Sequence, residues 1–154
     1  MNGKQRIVAA LNLQPVDRTP VWFMRQAGRH LPEYRKIAAE HNFWERCMDV
    51  DLCKTITLQP LERYQKIDAA IIFSDILTPL PSLGYDVEYG GGIRISDFNL
   101  DDVDDWINFS ARKHAPWAAD GLQAVGEEIG DTTARLGFVG SPWTICMYLL
   151  SGGT

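Results

Sequence analysis

Cysteine is scarce in this sequence: Cys47, Cys53 and Cys146 are the only three, and no two of them form a C-x-x-C pair. An odd number without such a pair argues against a disulfide framework and a zinc knuckle, and fits a reducing compartment. Long apolar runs are missing as well, since none approaches the ~18 residues of a membrane-spanning helix. The stretch from Met1 to Leu13 holds only the short apolar run Ile7 to Leu11, too short and too polar for a secretory signal. The expectation is a cytoplasmic protein with no membrane partner. Cations are in deficit, with 15 Lys and Arg against 20 Asp and Glu and a formal charge of -5. Nucleic-acid binding rests on clustered cations, so a nucleic-acid partner is not expected. Any anionic ligand must be held by a local group of arginines rather than by the overall field. His30, His41 and His114 have no ligand spacing with one another or with the cysteines, so no metal site is expected. No phosphate loop or dinucleotide fingerprint is present.

What is present describes an ordinary globular chain: 154 residues, 45% apolar, 23% charged and 10% aromatic. With no internal repeat, linker or low-complexity tract, residues 1–154 read as part of one domain. Three apolar runs predict strands, at Val21 to Met24, Ala69 to Phe73 and Arg135 to Val139. Each is apolar on successive residues, as in parallel strands covered on both faces. Helices are predicted between them: a short one capped by Asn2, one from Pro32 with Tyr34, Ile37 and Ala38 on one face, and one after Asp49 with Val50, Cys53, Ile56 and Thr57 on one stripe. Pro60 should kink or end the last of these, although Leu61 and Tyr64 continue its pattern. A further helix runs from Pro116 to Ile129, with Trp117, Leu122 and Val125 inward. Val87 to Tyr89, three glycines at 90–92 and Ile93 to Ile95 predict a hairpin. Asp97, Asp101, Asp102, Asp104 and Asp105 read as a helix start favoured by the helix dipole. The class is α/β with a parallel sheet.

In such a fold the residue just after a strand faces the functional end of the sheet. Those exits hold Arg25 and Arg29, then Ser74 and Asp75, then Ser141 and Pro142. None carries a lysine, which disfavours Schiff-base chemistry. Arg25-Gln26-Ala27-Gly28-Arg29 sets two guanidinium forks around a flexible Ala-Gly pair; each fork can grip a carboxylate bidentately, or both can be solvated surface charges. Asp75 can stabilise a developing cation or accept hydrogen bonds from a ligand's N–H groups, or it can close a local turn. Tyr148, seven residues past Ser141, can aim a hydroxyl at a ligand or pack in the core. Ser141 can serve as a helix cap.

The runs Asp17-Arg18-Thr19-Pro20-Val21-Trp22, Met24-Arg25-Gln26-Ala27-Gly28-Arg29 and Leu31-Pro32-Glu33-Tyr34-Arg35 resemble the N-terminal signature of the uroporphyrinogen decarboxylase family. Thr57-Leu58-Gln59-Pro60 and Ala69 to Leu77 are similar to its second strand region. Gly137-Phe138-Val139-Gly140-Ser141-Pro142-Trp143-Thr144, with Tyr148 beyond, resembles its second signature. The resemblance implies a (β/α)8 TIM barrel, of which this chain is the N-terminal part, incomplete because a closed barrel needs about 250 residues. It implies decarboxylation of the four acetate side chains of uroporphyrinogen III to give coproporphyrinogen III, with no metal or organic cofactor and with a homodimer as the assembly. Arg25, Gln26, Ala27, Gly28 and Arg29 would form the substrate-binding loop, Asp75 would bind the pyrrole N–H groups, and Tyr148 would be the site tyrosine. His30 stands where the family usually has a tyrosine, and the family's later serine and histidine lie beyond this segment, so the segment alone is expected to be inactive. Two other readings stay open: a corrinoid-dependent methyltransferase on the same scaffold, and a non-catalytic relative that pairs with another chain through open strand edges.

Overall fold

The chain opens on a capping box. Asn2 accepts from the Gln5 N–H at 2.9 Å, while the Gln5 side chain accepts from the Asn2 N–H at 3.0 Å. Helix α1, Gly3–Leu11, follows from it. The computed structural model describes residues 1–154 except for the side chain of Asp105, so that part of the acidic-cluster expectation lies outside the described residues. Beyond α1 come α2 (Pro32–Glu40), α3 (Phe43–Met48), α4 (Val50–Arg63), β1 (Ala69–Ile71), α5 (Pro79–Ser82), β2 (Val87–Tyr89) and β3 (Ile93–Ile95). A 3-10 turn at Leu100–Asp102 leads into α6 (Val103–Trp106), α7 (Ala111–His114), α8 (Trp117–Ile129), β4 (Ala134–Leu136) and α9 (Pro142–Ser151). Two compact units result: Met1–Phe73 with Trp117–Gly137, and Ser74–Pro116 with Phe138–Thr154. Among the described residues, no helix is long and apolar enough to cross a membrane.

In the first unit β1 and β4 pair in parallel, with Ala69 opposite Ala134 and Ile71 opposite Leu136. The α/β reading with a parallel pair therefore holds, and no closed barrel is formed. β1 is buried along its whole length, as its continuous apolar run predicts, and Ala69 packs with Ile7, Ala134 and the half-buried Trp22. Asp49 caps α4 by accepting from the Leu52 N–H at 2.9 Å. Of the stripe Val50, Cys53, Ile56 and Thr57 read from sequence, α4 buries the last three and half-buries Val50, and it packs against α8. Gly121 makes that approach possible, because a Cβ there would lie 3.0 Å from the Cys53 sulfur. Leu31, Tyr34 and Ile56 form a second core cluster with Ala27, Ile37 and Phe73 around it. Pro60 does not end α4; the helix runs on to Arg63, and the Tyr64 N–H donates to the Pro60 carbonyl at 2.8 Å.

All three strand expectations need correction. Val21 to Met24 is not a strand, and Met24 already stands in a turn. The Asp68 N–H donates to the Val21 carbonyl at 2.8 Å, but the Phe23 carbonyl is then taken by the Gln26 N–H, so no ladder can propagate. The runs at 69–73 and 135–139 shorten to Ala69–Ile71 and Ala134–Leu136. Their last shared bond is Ile72 N–H to the Leu136 carbonyl at 3.0 Å. At the next residue α4 takes both backbone groups of Phe73: its N–H donates to Thr57 Oγ1 at 2.9 Å, and its carbonyl accepts from the Cys53 thiol at 3.2 Å. Thr57 Oγ1 in turn donates to the Cys53 carbonyl at 2.7 Å. Phe73 is thus bonded on the edge of β1 that faces away from β4, β4 itself ends at Leu136, and Val139 is 89% exposed. β4 is also covered less than expected, with only Ala134 buried.

In the second unit the predicted hairpin is present, with β2 and β3 antiparallel and Glu88 opposite Arg94. Gly91 at φ +69° supplies the left-handed turn that residues with side chains rarely adopt. The tail after α9 joins the hairpin: Gly153 bridges Arg94, and the Thr154 N–H donates to the Ile93 carbonyl at 2.8 Å. Tyr85, Phe98 and Trp106 form an aromatic cluster with ring centroids 5.7 to 6.3 Å apart. The acidic stretch does start helical structure, with Asn99 accepting from the Asp101 N–H at 3.1 Å. α9 buries Leu149 alone and exposes Trp143, Met147 and Leu150. Ser141 stands at its N-cap position, but its side chain makes no capping bond there.

Candidate functional site

The five residues of the arginine loop lie together in the first unit. The turn begins where the Gln26 N–H donates to the Phe23 carbonyl at 3.2 Å, and Gly28 at φ +153° redirects the chain in a conformation that a residue with a Cβ rarely adopts. The Leu31 N–H then donates to the Gly28 carbonyl at 2.9 Å and leads into α2. The loop is two-faced. Gln26 is 3% exposed and Ala27 packs on the Leu31–Tyr34–Ile56 cluster, so these two side chains turn inward. Arg25 and Arg29 are exposed, and among the described residues neither guanidinium has a carboxylate partner. The Arg29 carbonyl is held by Arg35 Nη1 at 2.9 Å, and the neighbouring His30 ring stacks over Tyr64 with centroids 6.5 Å apart.

Free guanidinium groups stand out because the other arginines of this unit are committed. Asp68, 1% exposed, accepts from Arg6 Nη1, from Arg18 Nη1 at 2.7 Å and Nη2 at 2.8 Å, and from the Val21 N–H at 2.8 Å. Burial alone would raise this carboxyl. The hydrogen bonds from Arg18, Val21 and Arg6 outweigh it and hold the group below its ordinary value. Asp17 accepts from Arg6 Nε at 2.6 Å and Nη2 at 2.7 Å, which holds its carboxyl far below the usual range and raises Arg6. Arg46, buried, donates to the Tyr34 hydroxyl and lies 5.2 Å from that ring's centroid. On the surface, Arg63 grips Glu33 with two bonds of 2.8 Å and lowers its pKa to about 2. Cys53 is no nucleophile, since burial pushes its thiol up to about 11.

Asp75 and Tyr148 belong to the second unit. Asp75 is half-buried; its Oδ1 accepts from the Leu77 N–H at 2.7 Å, and its carbonyl accepts from the Thr78 N–H at 3.3 Å. One carboxylate oxygen thus closes the local turn, while Oδ2 has no donor among the described residues. Gly140 lets the segment before α9 approach this turn, because a Cβ there would lie 2.9 Å from the Ile76 carbonyl. Tyr148 is half-buried on α9, and its hydroxyl has no partner among the described residues. A surface groove of about 490 Å³ is lined by Trp44, Met48 and Leu52 with His41 and Glu45, and contains none of these residues. The inward turn of Gln26 had no sequence signal beyond its place between two arginines.

The family model for uroporphyrinogen decarboxylase matches residues 2–154. A uroporphyrinogen decarboxylase of Pseudomonas paraeruginosa is 42% identical over 154 residues, covering 97% of this chain and 43% of its own length. Its counterpart in Chromohalobacter salexigens is 41% identical with the same coverage of both chains. That of Magnetococcus marinus is 36% identical over 163 residues, covering 100% of this chain and 44% of its own. This chain therefore spans under half the length of the curated relatives it matches, and it belongs to the uroporphyrinogen decarboxylase family.

Proposed function

We propose that this chain is the N-terminal part of a (β/α)8 barrel that decarboxylates uroporphyrinogen III, a carboxy-lyase of porphyrin biosynthesis. The single observation that carries the reading is the pair of exposed, carboxylate-free guanidinium groups of Arg25 and Arg29 on a loop whose other side chains are packed inward. The substrate presents eight carboxylates, and bidentate Arg–carboxylate pairs suit them in geometry as well as charge. Arg25 and Arg29 hold and orient side-chain carboxylates, and the backbone of Gln26, Ala27 and Gly28 lines the same loop. Asp75 receives pyrrole N–H groups on its free oxygen. A pyrrole ring protonated on carbon takes up the electron pair of the acetate C–C bond as carbon dioxide leaves, the exocyclic methylene carbon then gains a proton to become a methyl, and the ring carbon releases the proton it first took up, so that the pyrrole is restored and one proton is consumed overall. Asp75 stabilises the ring's positive charge before that bond breaks. Tyr148 presents its hydroxyl to the bound tetrapyrrole. No metal or organic cofactor enters the scheme. Cytoplasmic location and a homodimeric whole protein complete it.

The test is a chimera in which this chain replaces the corresponding 43% of the Pseudomonas paraeruginosa relative. Incubated anaerobically with uroporphyrinogen III, it should release coproporphyrinogen, counted by carboxyl number. A folded chimera without turnover would overturn the reading, and an Asp75→Asn chimera with near-normal turnover would remove Asp75 from it. A second reading, a non-catalytic chain that pairs with another protein, draws on the exposed Val139, Trp143, Met147 and Leu150. A turning-over chimera excludes it.

A further inference from the structure

We infer that Gln26 is a positioning residue: its side chain pins the arginine loop to the first residue of β1 and so fixes where Arg25 and Arg29 are presented. The inference rests on the proposed polycarboxylate site. Gln26 stands between the two arginines, where a polar residue invites assignment as a direct ligand contact. Its side chain is turned away from solvent, 3% exposed, and both ends of its amide are used. Oε1 accepts from the Phe23 N–H at 3.2 Å, and Nε2 donates to the Ala69 carbonyl at 3.1 Å. Its backbone N–H is engaged too, donating to the Phe23 carbonyl. One residue thus closes the turn behind Arg25 twice and ties it, 43 positions on, to a strand that is buried throughout. The Ala69 carbonyl is itself buried, so the bond to Gln26 satisfies a group that would otherwise be costly to leave unpaired. With Gly28 setting the bend and Gln26 the depth, the two flanking guanidinium groups lose freedom before a ligand arrives, which is how a flexible loop gains affinity without new contacts.

Four measurements test this. In the unmodified protein, the Gln26 side-chain amide protons should exchange at least tenfold more slowly than those of the exposed Gln65; equal rates would overturn the inference. Gln26→Met keeps the volume and deletes both amide bonds. It should speed tryptic cleavage after Arg25 and Arg29 about tenfold relative to cleavage after the exposed Arg112, and an unchanged ratio would overturn it. Gln26→Glu separates anchoring from simple packing. Its carboxyl can donate to the Ala69 carbonyl only when protonated, so the carbon-13 shift of the Ala69 carbonyl should move toward its unmodified value as pH falls in this variant and not in Gln26→Met. The probe for the site is uroporphyrin III, the fluorescent oxidised octacarboxylate. With both arginines intact, Gln26→Met should weaken its binding about tenfold, and unchanged affinity would reduce Gln26 to a packing residue. If the unmodified chain binds no uroporphyrin while its amide protons stay protected, the ligand reading falls and the anchor stands.

Discussion

Consecutive residues of the first unit support two opposite uses of arginine. At Asp68, two guanidinium groups converge on a buried carboxylate and bond both of its oxygens. At Ala69, the backbone carbonyl holds Gln26, and the arginines on either side of that glutamine reach solvent with no carboxylate partner among the described residues. The Asp68 cluster ties α1, the 17–18 turn and the Val21 segment to the start of β1, so its charges serve the fold. The loop leaves its charges available, and only its neutral side chains are spent on packing. The same residue type is therefore committed to the fold or left at the surface according to whether a carboxylate of the chain itself is within reach.

The largest effect should come from breaking the first arrangement. Asp68→Ala takes the acceptor from Arg6 Nη1 and from the Val21 N–H while Arg6 keeps its pairing with Asp17, and each buried donor left unsatisfied costs about 1–3 kcal/mol. Urea unfolding should register that loss; a change under about 1 kcal/mol would mean the cluster is not structural. The reverse holds for the loop. Arg25→Ala with Arg29→Ala should shift stability by no more than about 0.5 kcal/mol, as for surface changes generally. Uroporphyrin affinity, by contrast, should fall roughly tenfold or more for each arginine. If the double variant unfolds early or binds normally, the division between the two regions fails.

Acid provides a finer probe. Asp68 and Asp17 titrate below their ordinary value of 3.8, held there by arginine hydrogen bonds. A depressed carboxyl adds stability that is fully present above its unfolded value and is lost as pH falls through the folded one. Thermal stability should therefore stay level between pH 7 and about 5 and drop below about 4, and Asp68→Asn should flatten that drop. The smallest effect belongs to the exposed Glu33–Arg63 pair. Glu33→Gln should move the melting temperature slightly at low salt and not at all near 1 M, where screening acts within about 3 Å.

Caps and turns were legible in the sequence because their cause is local. Asn2, Pro32 and Asp49 mark helix starts, and the glycines at 90–92 mark the hairpin, with no reference to anything distant in the chain. α3 went unread although its signal was there, since Asn42 and Glu45 form a second capping box. The strands were harder, because an apolar run reads the same whether or not a partner takes its hydrogen bonds. Val21 to Met24 has one such bond before Gln26 turns the chain away, and the 135–139 run outlasts its partner. For the site, spacing and residue type brought out Arg25, Arg29 and Asp75 as candidates. They could not show that Gln26 and Ala27 point inward, which depends on a core assembled from α2, α4 and β1.

The hold of α4 on Phe73 bears on which lengths of this chain are free to vary. Cys53 and Thr57 stand one helical turn apart and grip the two backbone groups of a single residue. An insertion or deletion of one residue within 53–57 would rotate one partner about 100° around the helix and release half the grip. The glycine turn at 90–92 has no comparable ruler, so the chain should accept added residues there while rejecting them a few dozen positions earlier.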